Sequence, residues 1–434
     1  YTRDCRDDPI KIHRNLDPKL HPFEKAREYT RALAATKLDK VFAKPFIAAL
    51  DGHTDGIYSM ATSPKSLVQL ISGSCDGEIR VWDLSHRTCV WKALAHSGFV
   101  RGLAVTPDGQ SFMSAGDDGY VKRWDLCVSP DIDVQPESTG EWKGKNGFKS
   151  MDHHWRNPIF ATAGETVEVW DETRADPTSH FKWGLDSVNC VRFHPSEMSL
   201  LASTGSDRGA ALFDLRNASP LRKVLLRMKS NAVEWNPRRP TNFVLANEDH
   251  HLYTFDMRNL KSAILIHKDH VGAVMAVGFS PTGREFASAG YDRTVRIFDC
   301  GEGRSREVYH TKRMQRLFSV KFSPDARYVM TGSDDTNLRI WKARSSERLG
   351  KLVSRETRHL NYLDSLKERY EAMPEIRRIA RYRHVPKNIK WANRMEIIQR
   401  EKAKRKKDNV ERNSGKKGKI LPEPARKKIV VAVQ

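Results

Sequence analysis

Seven aromatic-led dipeptides recur along the chain at near-constant spacing: Trp82-Asp83, Trp124-Asp125, Trp170-Asp171, Phe213-Asp214, Phe255-Asp256, Phe298-Asp299 and Trp341-Lys342. Successive aromatics lie 42 to 46 residues apart. An aspartate stands six residues before six of them, at Asp76, Asp118, Asp207, Asp249, Asp292 and Asp335. The third unit departs, with Glu165 five residues before Trp170. Stretches such as Glu78-Ile79-Arg80-Val81-Trp82 alternate with period two behind turn residues, which predicts short strands. One such sheet cannot bury both faces. Seven stacked around an axis bury them between neighbours, and closing the ring leaves few open edges.

A period in the forties ending in Trp-Asp resembles WD40 repeats, each a four-stranded blade. That resemblance implies an all-β seven-bladed WD40 β-propeller, placed here at residues 45–350. Blades one and two carry full sets of four polar residues: His53, Ser72, Asp76, Trp82 and His96, Ser114, Asp118, Trp124. In WD40 folds such a set forms a relay in which the carboxylate accepts from imidazole and the hydroxyl bridges imidazole to indole. Blade six keeps His270, Ser288 and Asp292 but has Phe298, and blades four, five and seven lack the histidine. Blades one and two are therefore expected to be the most rigid. Ser, His and Asp together suggest a catalytic triad, but recurrence once per blade reads as packed-sheet hydrogen bonding. No P-loop, metal cluster or isolated nucleophile stands out, so a non-catalytic chain with no cofactor is expected.

Two segments compete to close the ring. Phe46-Ile47-Ala48-Ala49-Leu50 precedes blade one, and Arg348-Leu349-Gly350-Lys351-Leu352-Val353 follows blade seven. The first matches the length and phase of Val90–His96 and is the expected outer strand. Before it, residues 21–33 read as a helix, with Pro22 in the first turn and Phe23, Ala26, Tyr29 and Leu33 on one face. This extension, residues 1–44, is expected to pack on the propeller or on a neighbour. Tyr1 is expected of a chain whose true start lies upstream.

The charge is unevenly placed. Of the chain's net +21, the last 84 residues hold +15, from 25 Lys and Arg against 10 Asp and Glu. A basic tail on a near-neutral ring argues for a polyanion partner. The alternative is a solvated tail serving solubility or nuclear import. No apolar run approaches the ~18 residues a membrane span needs. Six scattered cysteines, with no C-x-x-C pair, suit a reducing compartment.

The tail is patterned nonetheless. Leu360, Leu363, Leu366, Tyr370 and Met373 step by three and four, predicting one helix; after Pro374, Ile376, Ile379 and Tyr382 line a second; after Pro386, Trp391, Met395 and Ile398 line a third. These fall in an expected helical domain at 351–413, followed by an extended basic tail at 414–434. The candidate RNA-binding residues are Arg377, Arg378, Arg381, Arg383, Lys387, Lys390, Arg394, Lys402, Lys404, Arg405, Lys406, Lys407, Lys416 and Lys417. Arginine offers phosphate a planar fork, and Tyr382 or Trp391 can stack on an unpaired base. Because Trp391 lies on the apolar stripe, core anchoring is the expectation for it.

The flanks carry a more specific resemblance. Residues 20–33 and Ala35-Thr36-Lys37-Leu38-Asp39-Lys40-Val41-Phe42-Ala43-Lys44-Pro45-Phe46 resemble the N-terminal flank of the Sof (suppressor of fibrillarin) proteins. Leu366-Lys367-Glu368-Arg369-Tyr370 and residues 373–381 are similar to the Sof tail domain. The resemblance implies a scaffold subunit of the small-subunit processome in the nucleolus, with other processome proteins and U3 snoRNA or 18S precursor rRNA as partners. Animal relatives are also described as substrate receptors of cullin-RING ubiquitin ligases, which meet their adaptor through a W-D-x-R box. Phe213-Asp214-Leu215-Arg216 and Phe255-Asp256-Met257-Arg258 match that box with Phe for Trp. Arg216 and Arg258 are the candidate adaptor contacts.

Overall fold

The computed structural model describes residues 17–126, 137–182, 186–217, 219–413 and 425–433. Seven antiparallel sheets succeed one another along the chain, and the innermost strand of each contacts those of its neighbours around a ring. The first six blades begin at Ile57, Val100, Ser150, Val188, Ser230 and Val274. The seventh takes its three inner strands from Leu317–Lys342 and its outer strand from Phe46–Leu50, with Leu50 opposite Leu338. The N-terminal strand thus closes the ring as expected, and Arg348–Val353 forms no strand. Apolar side chains from neighbouring blades meet in shared cores: Ile71, Ile79 and Val81 of blade one pack with Leu103, Phe112 and Trp124 of blade two.

The recurring aspartate has a use that explains its fixed offset. Its Oδ1 accepts the N–H two residues on, at Glu78, Tyr120, Gly209, His251 and Thr294. This Asx turn holds the intervening residue at positive φ in the hairpin before the third strand. Blades one and two place glycine there, Gly77 (φ 90°) and Gly119 (φ 77°). A Cβ on Gly77 would lie 2.0 Å from the His96 carbonyl oxygen. Arg208, His250, Arg293 and Thr336 hold the same left-handed conformation without that freedom.

The remaining chain divides differently from the expected boundaries. Residues up to Lys44 and Ser345–Arg383 form one compact unit; Pro45–Arg344 and His384 onward form the other. The expected 351–413 domain is therefore split after Arg383. In the first unit, α1 (Glu24–Val41) packs against α2 (Ser354–Arg369) and α3 (Pro374–Ala380) through Ala32, Leu366 and Ile376. Small residues set this contact. The face expected to be buried is only partly so: Phe23 is 71 % exposed, while Ala32, Ala35 and Thr36 are buried. Likewise only Leu366 of the α2 stripe is fully buried, and Met373 is exposed. Polar bonds finish the unit: Tyr29 donates to Glu375 (2.9 Å), and Arg369 and Tyr370 converge on Glu28 at 2.9 and 3.0 Å.

In the second unit, His384 stacks on His310 of blade six at 5.3 Å, and α4 (Lys387–Asn413) follows. A short α5 (Ala425–Lys428) leads into a strand, Val430–Val433, that pairs antiparallel with the outer strand of blade four. Ile429 and Val430 pack on the core shared by blades four and five. The end of the chain is thus a fifth strand of blade four, not the extended tail expected.

Candidate functional site

The relay is complete in blade two alone. His96 Nδ1 lies 3.0 Å from Asp118, its Nε2 lies 2.8 Å from Ser114 Oγ, and Trp124 Nε1 donates to the same hydroxyl at 2.9 Å. Blade six repeats the first two contacts at 2.9 and 2.6 Å. Blade one does not meet expectation. His53 Nε2 and Trp82 Nε1 both reach Ser72, each at 2.7 Å, but His53 Nδ1 has no hydrogen-bond partner among the described residues.

The cause is a pair of competing hydroxyls. Blades two and six have Gly116 and Gly290 beside the carboxylate, where blade one has Ser74. Ser74 and Thr54 both donate to Asp76 and occupy it. Burial, reinforced by Arg80, pushes the His53 imidazole down to about 4. The serines of these relays are buried and already shared, so they present no free nucleophile; the relays are structural. Elsewhere the aspartate takes a different partner: Lys223 in blade four, Tyr253 in blade five and Arg339 in blade seven.

The Asp of the terminal dipeptide builds a second Asx turn. Asp214 accepts from Arg216 N–H at 3.0 Å, and Asp256 from Arg258 N–H at 2.9 Å. Both arginines are exposed, on equivalent turns of adjacent blades. Beside Arg258 lies a cleft of about 350 Å³, lined by Leu200, Leu212 and Leu221 of blade four and by Trp235 and Met257 of blade five. Arg222 donates to the Arg258 carbonyl at 2.8 Å and fixes its rim.

The candidate RNA-binding residues fall in two groups. Arg377, Arg378 and Arg381 are exposed on and just after α3, with Arg383 half-buried, in the first unit. Lys387, Lys390, Arg394, Lys402, Lys404, Arg405, Lys406 and Lys407 are exposed along α4 in the second. Lys416 and Lys417 lie outside the described residues. Lys402, Lys404 and Lys406 make no ion pair among the described residues, and Arg405 reaches Glu401 only at 3.9 Å. Trp391 is 66 % exposed, so the core of this chain does not anchor it, and anchoring would fall to a protein partner; Tyr382 is 65 % exposed. Rings this exposed can stack on an unpaired base.

Sequence reasoning missed four basic residues. Arg400 lies 3.3 Å from His251 of blade five, and Arg426, Lys427 and Lys428 cap the strand that joins blade four. The signal for the latter was the β-branched run Ile429-Val430-Val431-Ala432-Val433 after a Pro- and Lys-rich segment.

Comparison with known proteins matches the propeller and the region after it to two family models. A Sof1-like domain matches residues 343–430. WD domain G-beta repeats match 44–83, 87–125, 262–299 and 308–342. These are blades one, two, six and seven. Relatives named DDB1- and CUL4-associated factor 13 are 48 % identical in Xenopus laevis and 47 % in Homo sapiens, each covering 100 % of this chain and 97 % of the relative. The Dictyostelium discoideum relative of that name is 46 % identical over 96 % of this chain and 94 % of its own length. The crystal structure of the WD40 β-propeller domain of Doa1 superposes with a TM-score of 0.59 at 18 % identity, over 69 % of this chain and 96 % of that domain. That likeness supports the fold alone.

Proposed function

The chain belongs to the Sof1-like family of WD40 proteins, and from that membership we propose that it is a scaffold subunit of the small-subunit processome in the nucleolus. In this reading the propeller holds protein partners, and α4 binds U3 snoRNA or 18S precursor rRNA. The observation that carries it is the run Lys402–Lys407, exposed on all sides of a helix with little acidic complement. Lysines and arginines in that state release counterions from a polyanion, and their affinity for it falls steeply with salt. The +15 of the last 84 residues supports the same reading.

The test is RNA affinity across a salt series. Lys402, Lys404, Arg405, Lys406 and Lys407 changed to Gln should weaken binding to structured precursor RNA at least ~10-fold and flatten the log–log salt slope. This variant keeps the Val430–Val433 strand, which a truncation would remove from blade four.

A second reading has its own observation. The relatives' name associates them with DDB1 and CUL4, and Arg216 and Arg258 stand exposed on matching turns, with an apolar cleft beside Arg258. If this chain is also a cullin-RING ligase receptor, changing both arginines to Ala should abolish adaptor pull-down and leave RNA binding intact. Equal adaptor recovery from both proteins would dismiss that box.

A further inference from the structure

The central channel holds a site that neither reading uses. In six blades the innermost strand is interrupted by a register shift that leaves one residue unpaired: Tyr58, Arg101, Asn189, Asn231, Met275 and Phe318. In blade three Lys149 holds the equivalent place, directly before Ser150. Bulges re-aim side chains, and all seven line one cavity of about 310 Å³. The fold therefore builds a ring with one free residue choice per blade.

The ring is divided by chemistry. Tyr58 and Phe318 stack at 5.7 Å. Arg101 lies 4.6 Å above the Tyr58 ring and 4.5 Å above that of Phe99, and it is clamped to Asp117 at 2.9 Å. Asn231 donates its amide to the Val274 carbonyl of the next blade at 2.9 Å, which stiffens the rim. Lys149 is different. Its ammonium donates to Ser187 Oγ at 2.6 Å and makes no ion pair among the described residues. Burial, and then Arg101, pulls its pKa down, the mark of a cation short of counter-charge.

A second level of the channel has no such deficit. There Arg192 is shared between Glu234 (3.1 Å) and Asp152 (3.4 Å), and Lys321 lies 3.8 Å from Glu234. Two cations meet two carboxylates, so that level is self-neutralised.

We propose that the bulge ring binds the carboxylate of one acidic side chain from an extended segment of a partner protein, with Lys149 as its counter-ion and the Tyr58–Phe318 pair as its apolar wall. Charge complementarity selects the occupant: Lys149 has a hydroxyl partner but no counter-ion among the described residues, and the Arg192–Glu234 level needs none. The size of the cavity suits one side chain with its flanking backbone. Nucleic acid fits less well, because Lys149 is one uncompensated cation and a phosphate chain is held by several.

The test uses the full chain and three photo-crosslinking peptide pools with randomised flanks and a central Glu, Gln or Lys. The Glu pool should be enriched at least ~10-fold over the Gln pool at physiological salt, with cross-links on Met275 and Phe318. Lys149→Arg should keep that preference, and Lys149→Glu should lose it. Lys149→Met keeps the stem and removes the charge; it should lose the preference even if the reversed charge disturbs the ring. Because α4 is unchanged in every variant, its attraction for acidic peptides cancels. Equal capture of the Glu and Gln pools, cross-links confined to α4, or an undiminished preference in Lys149→Met would overturn the proposal. Oligouridine binding that is lost in Lys149→Met would assign the ring to nucleic acid instead.

Discussion

In the propeller, Arg306 bridges Glu285 at 2.6 Å and Asp299 at 3.4 Å, Arg339 is tied to Asp335, and Arg296 lies 3.8 Å from a buried Asp292. Along α4 the pattern reverses: Lys402, Lys404 and Lys406 are exposed and make no ion pair among the described residues. The same residue types do different work in the two places. A guanidinium buried in a blade must be paired, because an uncompensated buried charge costs several kcal/mol. An exposed lysine costs almost nothing until a polyanion arrives. The propeller's charges pair within its blades, and Lys402, Lys404 and Lys406 of α4 are left for a partner. Mutations should separate the two regions cleanly.

The largest expected effect is on closure of the ring. Removing residues 1–50 takes the outer strand from blade seven, and Tm should fall by more than about 10 °C. Neutralising the α4 cations should leave the melt in place. Next is Asp292, buried with His270 and Arg296 against it. Asp292→Ala strands both and should cost about 3–5 kcal/mol in a denaturant melt. Asp76→Ala loses an Asx turn with no imidazole behind it and should cost about 1–2 kcal/mol. Equal losses would mean that the histidine relay adds nothing to the turn.

Acid should act on the propeller before it acts on α4. His53 and His267 are both pushed down by burial to about 4 from an ordinary 6.5. Their folded forms bind protons less readily than the unfolded chain does. Stability is therefore full above about 6.5 and is lost as pH falls towards 4, by up to about 3 kcal/mol for each group. His53→Asn should flatten that slope; an unchanged slope would place the acid sensitivity elsewhere. The smallest effect is the most local. Ser74→Gly frees Asp76 to meet His53, as Gly116 does for Asp118 in blade two. In NMR titration the His53 pKa should move up from about 4. No movement would show that Ser74 is not what separates the pair.

How much of this was legible in the sequence follows from the range of each interaction. The blades were legible because the Asx turn ties an aspartate to the N–H two residues on, so spacing alone reports it. Closure by Phe46–Leu50 was legible from length and phase. The broken relay of blade one was not read, because its causes, Ser74 and Thr54, are extra donors beside a complete set. Trp391 misled because a stripe at helical spacing shows that a face exists, not that anything covers it. The bulge ring was invisible: six of its seven members stand where strand pairing slips, and only the closed channel brings the seven together. The strand Val430–Val433 was passed over because its basic, Pro-containing surroundings read as extended, and its partner lies some two hundred residues upstream.

The most direct test of the division between ring and helix is the RNA salt series on the variant with Lys402, Lys404, Arg405, Lys406 and Lys407 changed to Gln. The account expects an unchanged thermal melt, affinity for structured precursor RNA reduced at least ~10-fold at moderate salt, and a flatter slope against log salt. Equal affinity and an equal slope, with the protein still folded, would contradict it: the RNA surface would then lie outside the Lys402–Lys407 segment.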